Sequence, residues 1–156
     1  MKRTVEDRLR EEYFDILPEI EKVAAYIEAK TKCHLLPITS KLEKFEQIVI
    51  STRIKSCESS LDALRRRSEG RIFDPDKEHT LTQLRDLAGV RVLAFPRNRI
   101  EEIDKALQEL FPLWTSDPVQ DDQKEIIAFK YWGKVEVSDK IGAEYQIVSS
   151  PDYSGR

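Results

Sequence analysis

The chain has 156 residues, of which 40% are apolar and 35% are charged, and its formal net charge is −3. This length fits one domain, and a domain of this size buries roughly 70% of its unfolded surface. No apolar run approaches the roughly 20 residues that a membrane span needs, and the charged N-terminus does not resemble a signal peptide. We therefore expect a cytoplasmic protein without membrane association. The acidic balance also excludes a general attraction to nucleic acid.

Residues 1–45 are predicted to form an N-terminal helical segment that packs on a sheet. Apolar side chains recur there at helical spacing on both sides of Pro18, which is expected to break or restart the helix. They are Val5, Leu9, Tyr13, Ile16 and Leu17 before the proline, and Ile20, Val23, Ala24 and Ile27 after it.

Over residues 46–55 the spacing of the apolar side chains changes from that of a helix to every second residue. Isoleucines there recur at even-numbered positions, and Ser51, Arg53 and Lys55 stand at odd-numbered ones. This alternation predicts a strand that places Arg53 and Lys55 on one face. Ser56 is suited to cap the helix that follows, and Glu58 is favourable in its first turn. Because a helix N-terminus binds anions, the strand end and the helix start together indicate a polyanion site.

A second strand is predicted at residues 88–95, shortly after Asp86. Strict alternation would place Asp86 and Arg91 on opposite faces, so a turn or bulge at residues 87–89 is expected to bring them together. Gly89 tolerates such a bulge. Arginines, a lysine, hydroxyls and one carboxylate are the groups that a nucleotide polyphosphate and its metal require.

The remaining pattern predicts a helix after residue 98, a polar loop at 115–124, a strand or hairpin at 125–137 and a strand at 143–148. Helices followed by strands with one interposed helix indicate an α+β fold, a mixed sheet flanked by helices. Residues 46–156 would form its core, after the N-terminal helical segment. The chain stops at Arg156 directly after a turn signal, so the C-terminal part of this core is expected to be missing.

Two motifs carry a resemblance to a known family. Residues 53–59 (R-I-K-S-C-E-S) fit the R-x-K-x-x-x-S signature of the RelA/SpoT-type (p)ppGpp synthetases, which include small alarmone synthetases and toxin-like members. Residues 86–92 (D-L-A-G-V-R-V) fit that family's D-[IL]-x-G-[IV]-R-V strand. The resemblance implies a nucleotidyltransferase-like fold, ATP as the pyrophosphate donor and Mg²⁺ as the cofactor.

The resemblance also implies a role for each matching residue. Arg53 and Arg91 would sandwich the adenine of ATP, while Lys55 and Ser59 would hold its phosphates. Asp86 would be the catalytic carboxylate that ligates Mg²⁺. The chemistry of these side chains is consistent with the same roles. Guanidinium planes stack on π faces, and carboxylates are natural magnesium ligands.

The sequence departs from the family pattern at three places. Ala63 stands where the family has a lysine, so Arg65 or Arg66 would have to replace that phosphate contact. The family's G-Y-x-S-x-H acceptor motif is not evident, and residues 153–156 (Y-S-G-R) are interpreted as its leading edge. The second metal carboxylate would be either Glu144, in E-Y-Q-I, or a residue beyond Arg156.

Three functions are compatible with these features. The first, which we expect, is transfer of the ATP β,γ-pyrophosphate to the ribose 3′-hydroxyl of a guanine nucleotide, GDP or GTP. The second keeps the donor but takes the 3′ end of tRNA as acceptor, with residues 65–67 and Arg71 on the RNA backbone; such a toxin-like protein would have an antitoxin protein as partner. The third is a non-catalytic nucleotide-binding module. Homo-oligomerisation is a further expectation.

Overall fold

The computed structural model describes residues 3–120, 122–123 and 126–149. Residues 153–156, interpreted above as the leading edge of an acceptor motif, lie outside the described residues. Apart from short 3₁₀ turns, the described part of the chain folds into three helices and five strands. These are α1 (Val5–Thr39), β1 (Gln47–Ile54), α2 (Cys57–Arg67), β2 (Ala88–Phe95), α3 (Ile100–Leu110), β3 (Thr115–Gln120), β4 (Ile126–Val135) and β5 (Ser138–Val148).

The strands form a mixed sheet in the order β1-β2-β5-β4-β3. Strands β2 and β5 run parallel, whereas the other neighbouring pairs are antiparallel. The parallel pair is connected through α3, β3 and β4, which brings the last described strand back beside β2. The predicted α+β fold, a mixed sheet flanked by helices, is confirmed.

One face of the sheet is apolar and is covered by helices. Helices α1 and α3 pack on this face and share one hydrophobic core with it. The buried positions alternate along β2, because successive side chains of a strand point to opposite faces. On β2 they are Ala88, Val90, Val92 and Ala94. On β5 the same face holds Ala143, Tyr145 and Ile147, while Gln146 and Val148 are buried on the other face. The opposite face, with the odd-numbered residues of β1 and β2, is the polar face.

Helix α1 continues through Pro18, so the prediction of a break there was wrong. The helix spans 35 residues with two prolines inside it. Its buried stripe keeps one phase from Leu9 past Pro18 to Ile27 and Leu35, all fully buried. An interior proline costs about 3 kcal/mol, whereas each buried leucine or isoleucine contributes about 1.5–3 kcal/mol. Packing on the sheet therefore outweighs the local penalty. Of the helices in the described ranges, none is both long and apolar enough to cross a membrane.

Strand β3 occupies part of the segment that was predicted to be a loop at 115–124. It lies at the edge of the sheet and pairs with β4 alone, with Pro118 opposite Phe129. An edge strand tolerates a proline, because one side of its backbone needs no hydrogen-bonding partner in the sheet. The polar composition that suggested a loop reflects this edge position.

Candidate active site

The end of β1 places two cationic side chains at a cleft on the polar face of the sheet. Arg53 lies within the strand and Lys55 directly after it, and both line the cleft. The Lys55 N–H donates a hydrogen bond of 2.9 Å to the carbonyl of Leu87, and the Tyr13 hydroxyl donates one of 2.8 Å to the carbonyl of Lys55. These bonds fasten the end of β1 to the segment before β2 and to α1, so the position of Lys55 is set by the backbone.

Helix α2 begins at the same cleft. The Ser59 N–H donates a hydrogen bond of 3.2 Å to the Oγ of Ser56, which confirms Ser56 as the N-cap. Glu58 lies in the first turn, where the Nε of Arg10 donates a 2.9 Å hydrogen bond to its carboxylate and lowers its pKa. Ser56 and Ser59 both line the cleft. The positive end of the α2 dipole is therefore available to an anion bound there.

Asp86 precedes β2 and does not take part in its alternation. The β1–β2 register runs without a shift from Ile54 opposite Ala88 to the far end of the pair. Of the turn or bulge expected at residues 87–89, the structure has a bend at Leu87, before the strand begins, and no bulge in the paired residues. Asp86 lines the same cleft as Arg91. One of its carboxylate oxygens lies 2.9 Å from the Nζ of Lys55.

Cross-strand pairing places the other polar side chains of the cleft in two rows. In the first row Arg53 is opposite Gly89, Gly89 is opposite Glu144, and Glu144 is opposite Trp132. The second row consists of Ser51, Arg91, Gln146 and Lys130. Because opposite residues share a face, Arg53 and Arg91 are diagonal neighbours on adjacent strands. Gly89 lies between them and has no side chain to fill the space.

Glu144 lines the same cleft as Asp86. Its strand runs parallel to β2, which places Glu144 directly beside Gly89. The Nε2 of Gln146 donates a 2.9 Å hydrogen bond to the Glu144 carboxylate and fixes its orientation. Glu144, one of the two alternatives left open by the sequence, thus lies at the same cleft as Asp86.

The cleft is strongly basic although the whole chain is acidic. Its volume is about 1060 Å³. Among the described residues, eight lysine or arginine side chains line it, against three carboxylates. The basic residues are Arg53, Lys55, Arg65, Arg66, Arg71, Arg85, Arg91 and Lys130, and the acidic ones Asp62, Asp86 and Glu144. Such a local excess of positive charge favours a polyanionic ligand.

The carboxylates of the cleft suit a magnesium ion that arrives with a nucleotide. Within the described ranges, no group of three or more histidine, cysteine, aspartate or glutamate side chains is arranged to hold a metal. Magnesium, however, is usually bound through one or two carboxylates together with substrate phosphates. Asp86 and Glu144 supply two carboxylates beside cationic groups that would bind phosphate. The residues therefore fit the implied ion.

Helix α2 carries arginines on its cleft side, while Ala63 packs against the hydrophobic core. Arg65 and Arg66 line the cleft. The Nη1 of Arg65 lies 2.6 Å from the Asp62 carboxylate. Arg67, the third arginine of the run, instead donates a 3.0 Å hydrogen bond to the carbonyl of Gln83. Arg65 and Arg66, expected from the sequence to replace the lysine missing at position 63, thus both lie on the cleft side within one turn of Ala63.

Four cleft residues were not singled out from the sequence as parts of a nucleotide site. Arg85, Lys130 and Trp132 line the side of the cleft formed by β4 and the segment before β2, and Gln146 lies on its floor. Alternation within residues 125–137 could have placed Lys130 and Trp132 on one face. Nothing local in the sequence, however, reveals that the hairpin of β4 and β5 lies beside β2.

Comparison with solved structures identifies the fold. No protein-family model matches the sequence, and no curated protein matches it significantly. The structure is similar to that of small alarmone synthetase 1 from Bacillus subtilis, with a TM-score of 0.58 and 16% identity over 88% of this chain and 70% of that protein. It is also similar to the same protein bound to AMPCPP, with a TM-score of 0.53 and 15% identity over 88% and 69% of the two chains. The chain therefore has the RelA/SpoT-type fold of a small alarmone synthetase, which the two motifs predicted.

Proposed function

We propose that the chain is a pyrophosphokinase that transfers the β,γ-pyrophosphate of ATP to the ribose 3′-hydroxyl of GDP or GTP. The observation that carries this proposal is the juxtaposition of Arg53 and Arg91 on adjacent strands, with Lys55 and Asp86 at the end of the same cleft. Planar cations, a phosphate-binding cation and a carboxylate are thereby combined on one surface.

The donor end of the cleft is assigned to ATP. Arg53 and Arg91 flank the space above Gly89, where two guanidinium planes can stack on the faces of an adenine ring. Lys55 and Ser59, at the end of β1 and in the first turn of α2, would then hold the phosphates. The similarity to a protein whose structure contains the ATP analogue AMPCPP supports this assignment at the level of the fold.

Asp86 and Glu144 are assigned to magnesium. The ion, when bound, would neutralise negative charge on the phosphates during transfer. Asp86 is held beside Lys55, and Glu144 is oriented by Gln146, so both carboxylates have fixed positions. In the transfer itself the 3′-oxygen of the acceptor bonds to the β-phosphorus and loses its proton. The bond from that phosphorus to the α–β bridging oxygen breaks, and AMP leaves.

Labelled ATP tests the reaction directly. The full chain is incubated with Mg²⁺ and γ-labelled ATP, together with GDP, GTP or tRNA in separate reactions. We expect label in a guanosine nucleotide that carries two additional phosphates, together with one AMP for each transfer. Asp86→Asn serves as the inactive control. Binding of AMPCPP without any transfer would instead favour the non-catalytic nucleotide-binding module.

A tRNA acceptor is the second candidate, and one observation favours it. Arg65, Arg66 and Arg71 line the cleft wall at α2, outside the two rows on the sheet. A wall of this kind could neutralise several phosphates of an RNA backbone. Label in tRNA but in neither GDP nor GTP would decide for this candidate.

A further inference from the structure

We infer that Arg85, supported by the indole of Trp132, binds the base of the acceptor nucleotide at the end of the cleft opposite Arg53. This inference rests on the proposed function, since it assigns a place to the second substrate of the same site. Arg85 would contact the base, whereas Trp132 would act through Arg85 as a positioning residue.

The first observation is a stacked pair on the cleft wall. The guanidinium carbon of Arg85 lies 4.1 Å from the centroid of the Trp132 ring. Both side chains line the cleft, and Arg85 is exposed while Trp132 is partly buried. An arginine that covers an indole with one face of its guanidinium keeps the other face for a second planar group. Bases are such groups, and arginine planes stack on them in nucleic-acid and nucleotide complexes.

The second observation is close packing at two glycines, Gly142 and Gly133, which fixes the backbone near Arg85 and near Trp132. A Cβ added at Gly142 would lie 2.2 Å from the carbonyl oxygen of Leu84 and 2.6 Å from the Cα of Arg85, so β5 holds the Arg85 segment at close range. A Cβ at Gly133 would lie 2.4 Å from the ring of Trp114, so the residue after Trp132 is packed as closely. A stacked pair whose backbone is already fixed loses little conformational entropy when it binds a planar ring.

The third observation is the distance from the donor end. Trp132 and Arg53 terminate one cross-strand row, with Gly89 and Glu144 between them. Three steps of roughly 4.8 Å between neighbouring strands separate their backbones by about 14 Å. The cleft volume of about 1060 Å³ lies slightly above the ~300–1,000 Å³ found for single-ligand sites. This size leaves room for more than one ligand, and Glu144 lies between the two ends of the row.

Separate binding of the two nucleotides tests the inference. Dissociation constants for GDP and for AMPCPP are measured by calorimetry with Mg²⁺ on the full chain and on Arg85→Lys, Trp132→Leu and Trp132→Phe. Arg85→Lys keeps the charge and removes the plane, so GDP should bind about tenfold more weakly while AMPCPP is unaffected. Trp132→Leu should weaken GDP binding about three- to tenfold, and Trp132→Phe should restore it. In transfer assays the KM for GDP should rise with little change in kcat.

Arg67→Lys is the matched control, because Arg67 lies outside the residues that line the cleft. It should change neither dissociation constant. Unchanged GDP affinity in Arg85→Lys, or no recovery in Trp132→Phe, would overturn the inference, as would weaker binding of AMPCPP in Arg85→Lys. A wild-type chain that does not bind GDP would also overturn it. If the wild-type chain binds GDP with this dependence but transfers no pyrophosphate, the proposed reaction fails and the binding inference stands.

Discussion

Lys55 and Asp86 form an ion pair of 2.9 Å between the segments that follow β1 and precede β2. The Lys55 N–H also bonds the carbonyl of Leu87, so the pair is set by the pairing of the two strands. These are the two groups assigned to phosphate and magnesium. The pairing keeps a cation and a carboxylate adjacent without requiring either to be deeply buried, and both remain accessible from the cleft.

Asp86→Asn should abolish pyrophosphate transfer without unfolding the protein. The amide removes the charge that would bind magnesium, and losing one such electrostatic group typically lowers kcat by at least about a hundredfold. The side chain is 34% exposed, so its packing contributes little. Transfer rate and thermal unfolding are measured together. The matched control is Asp139→Asn, an exposed carboxylate in the β4–β5 hairpin, which should keep wild-type activity. Wild-type rates in folded Asp86→Asn, at every magnesium concentration, would refute the assignment.

Arg91→Lys and Arg53→Lys should each weaken ATP binding. Lysine keeps the charge but lacks the planar face that stacks on adenine, a contact worth about 0.5–2 kcal/mol. The dissociation constant for AMPCPP should therefore rise about 2- to 30-fold. Calorimetry on the folded variants measures it. Equal affinity in Arg91→Lys would exclude an adenine sandwich between the two strands.

The motif residues could be assigned from sequence because their geometry is local. Arg53, Lys55 and Ser59 lie within seven consecutive residues of a strand and a capped helix, and alternation fixes which of them share a face. The strand at residues 88–95 was also predicted with its observed bounds. Of the turn or bulge expected at residues 87–89, the structure has a bend at Leu87 and no bulge in the paired residues.

The residues that could not be assigned depend on the order of the strands. Trp132 becomes a neighbour of Glu144 because β4 lies beside β5, and Glu144 a neighbour of Gly89 because β5 lies beside β2. The second contact joins residues far apart in the chain, and no local pattern encodes it. The same holds for Pro18, whose breaking effect is cancelled by the packing of α1 on the sheet.

Glu144→Gln should lower the transfer rate about as strongly as Asp86→Asn, by on the order of a hundredfold. Gln146→Ala should lower it less, about 10- to 100-fold, since Gln146 only orients the carboxylate through its 2.9 Å hydrogen bond. Single-turnover rates at saturating ATP measure both effects. Glu136→Gln is the control, because Glu136 is exposed in the β4–β5 hairpin. Full activity in Glu144→Gln would assign the second carboxylate elsewhere.

The Glu46–Arg99 pair should make stability depend on pH. Arg99 donates hydrogen bonds of 2.6 and 3.0 Å to the Glu46 carboxylate, whose side chain is 3% exposed. Hydrogen bonds from Arg99, from the Glu43 N–H and from Asn98 lower the pKa of Glu46 from 4.5 to about 2. A carboxyl group with a lowered folded-state pKa stabilises the protein above its unfolded-state value and loses this contribution as the pH falls through the folded-state value. The contribution should thus be complete above about pH 5 and decline towards pH 2.

Glu46→Gln tests this pH dependence. Its melting temperature should lie below that of the wild type at pH 7, and the difference should shrink as the pH falls from 5 to 3. Glu102→Gln is the control, because Glu102 bonds the same arginine at 3.3 Å but is 53% exposed. Exposed ion pairs contribute little. A constant difference between wild type and Glu46→Gln across this pH range would contradict the prediction.

The acceptor should be a guanine nucleotide, and salt dependence can distinguish it from tRNA. An RNA acceptor would be held by several phosphate contacts, so its transfer rate at low acceptor concentration would fall steeply with salt. The steepness is the slope of the logarithm of the rate against the logarithm of the salt concentration. Each arginine removed from such a contact would reduce this slope by about one. Of the 26 lysine and arginine residues of the chain, eight are seen to line the cleft, and three of these, Arg53, Lys55 and Arg91, are already assigned to ATP.

The deciding measurement compares GDP and tRNA as acceptors between low and physiological salt, for the wild type and for Arg65→Ala/Arg66→Ala. We expect label in GDP with a shallow slope and none in tRNA. Arg67→Ala should behave as the wild type, because its side chain is bonded to the carbonyl of Gln83 and lies away from the cleft. Label in tRNA with a steep slope that the double substitution flattens by about two would establish the RNA acceptor. That result would make the α2 arginines, and not the far end of the sheet, the acceptor-binding surface.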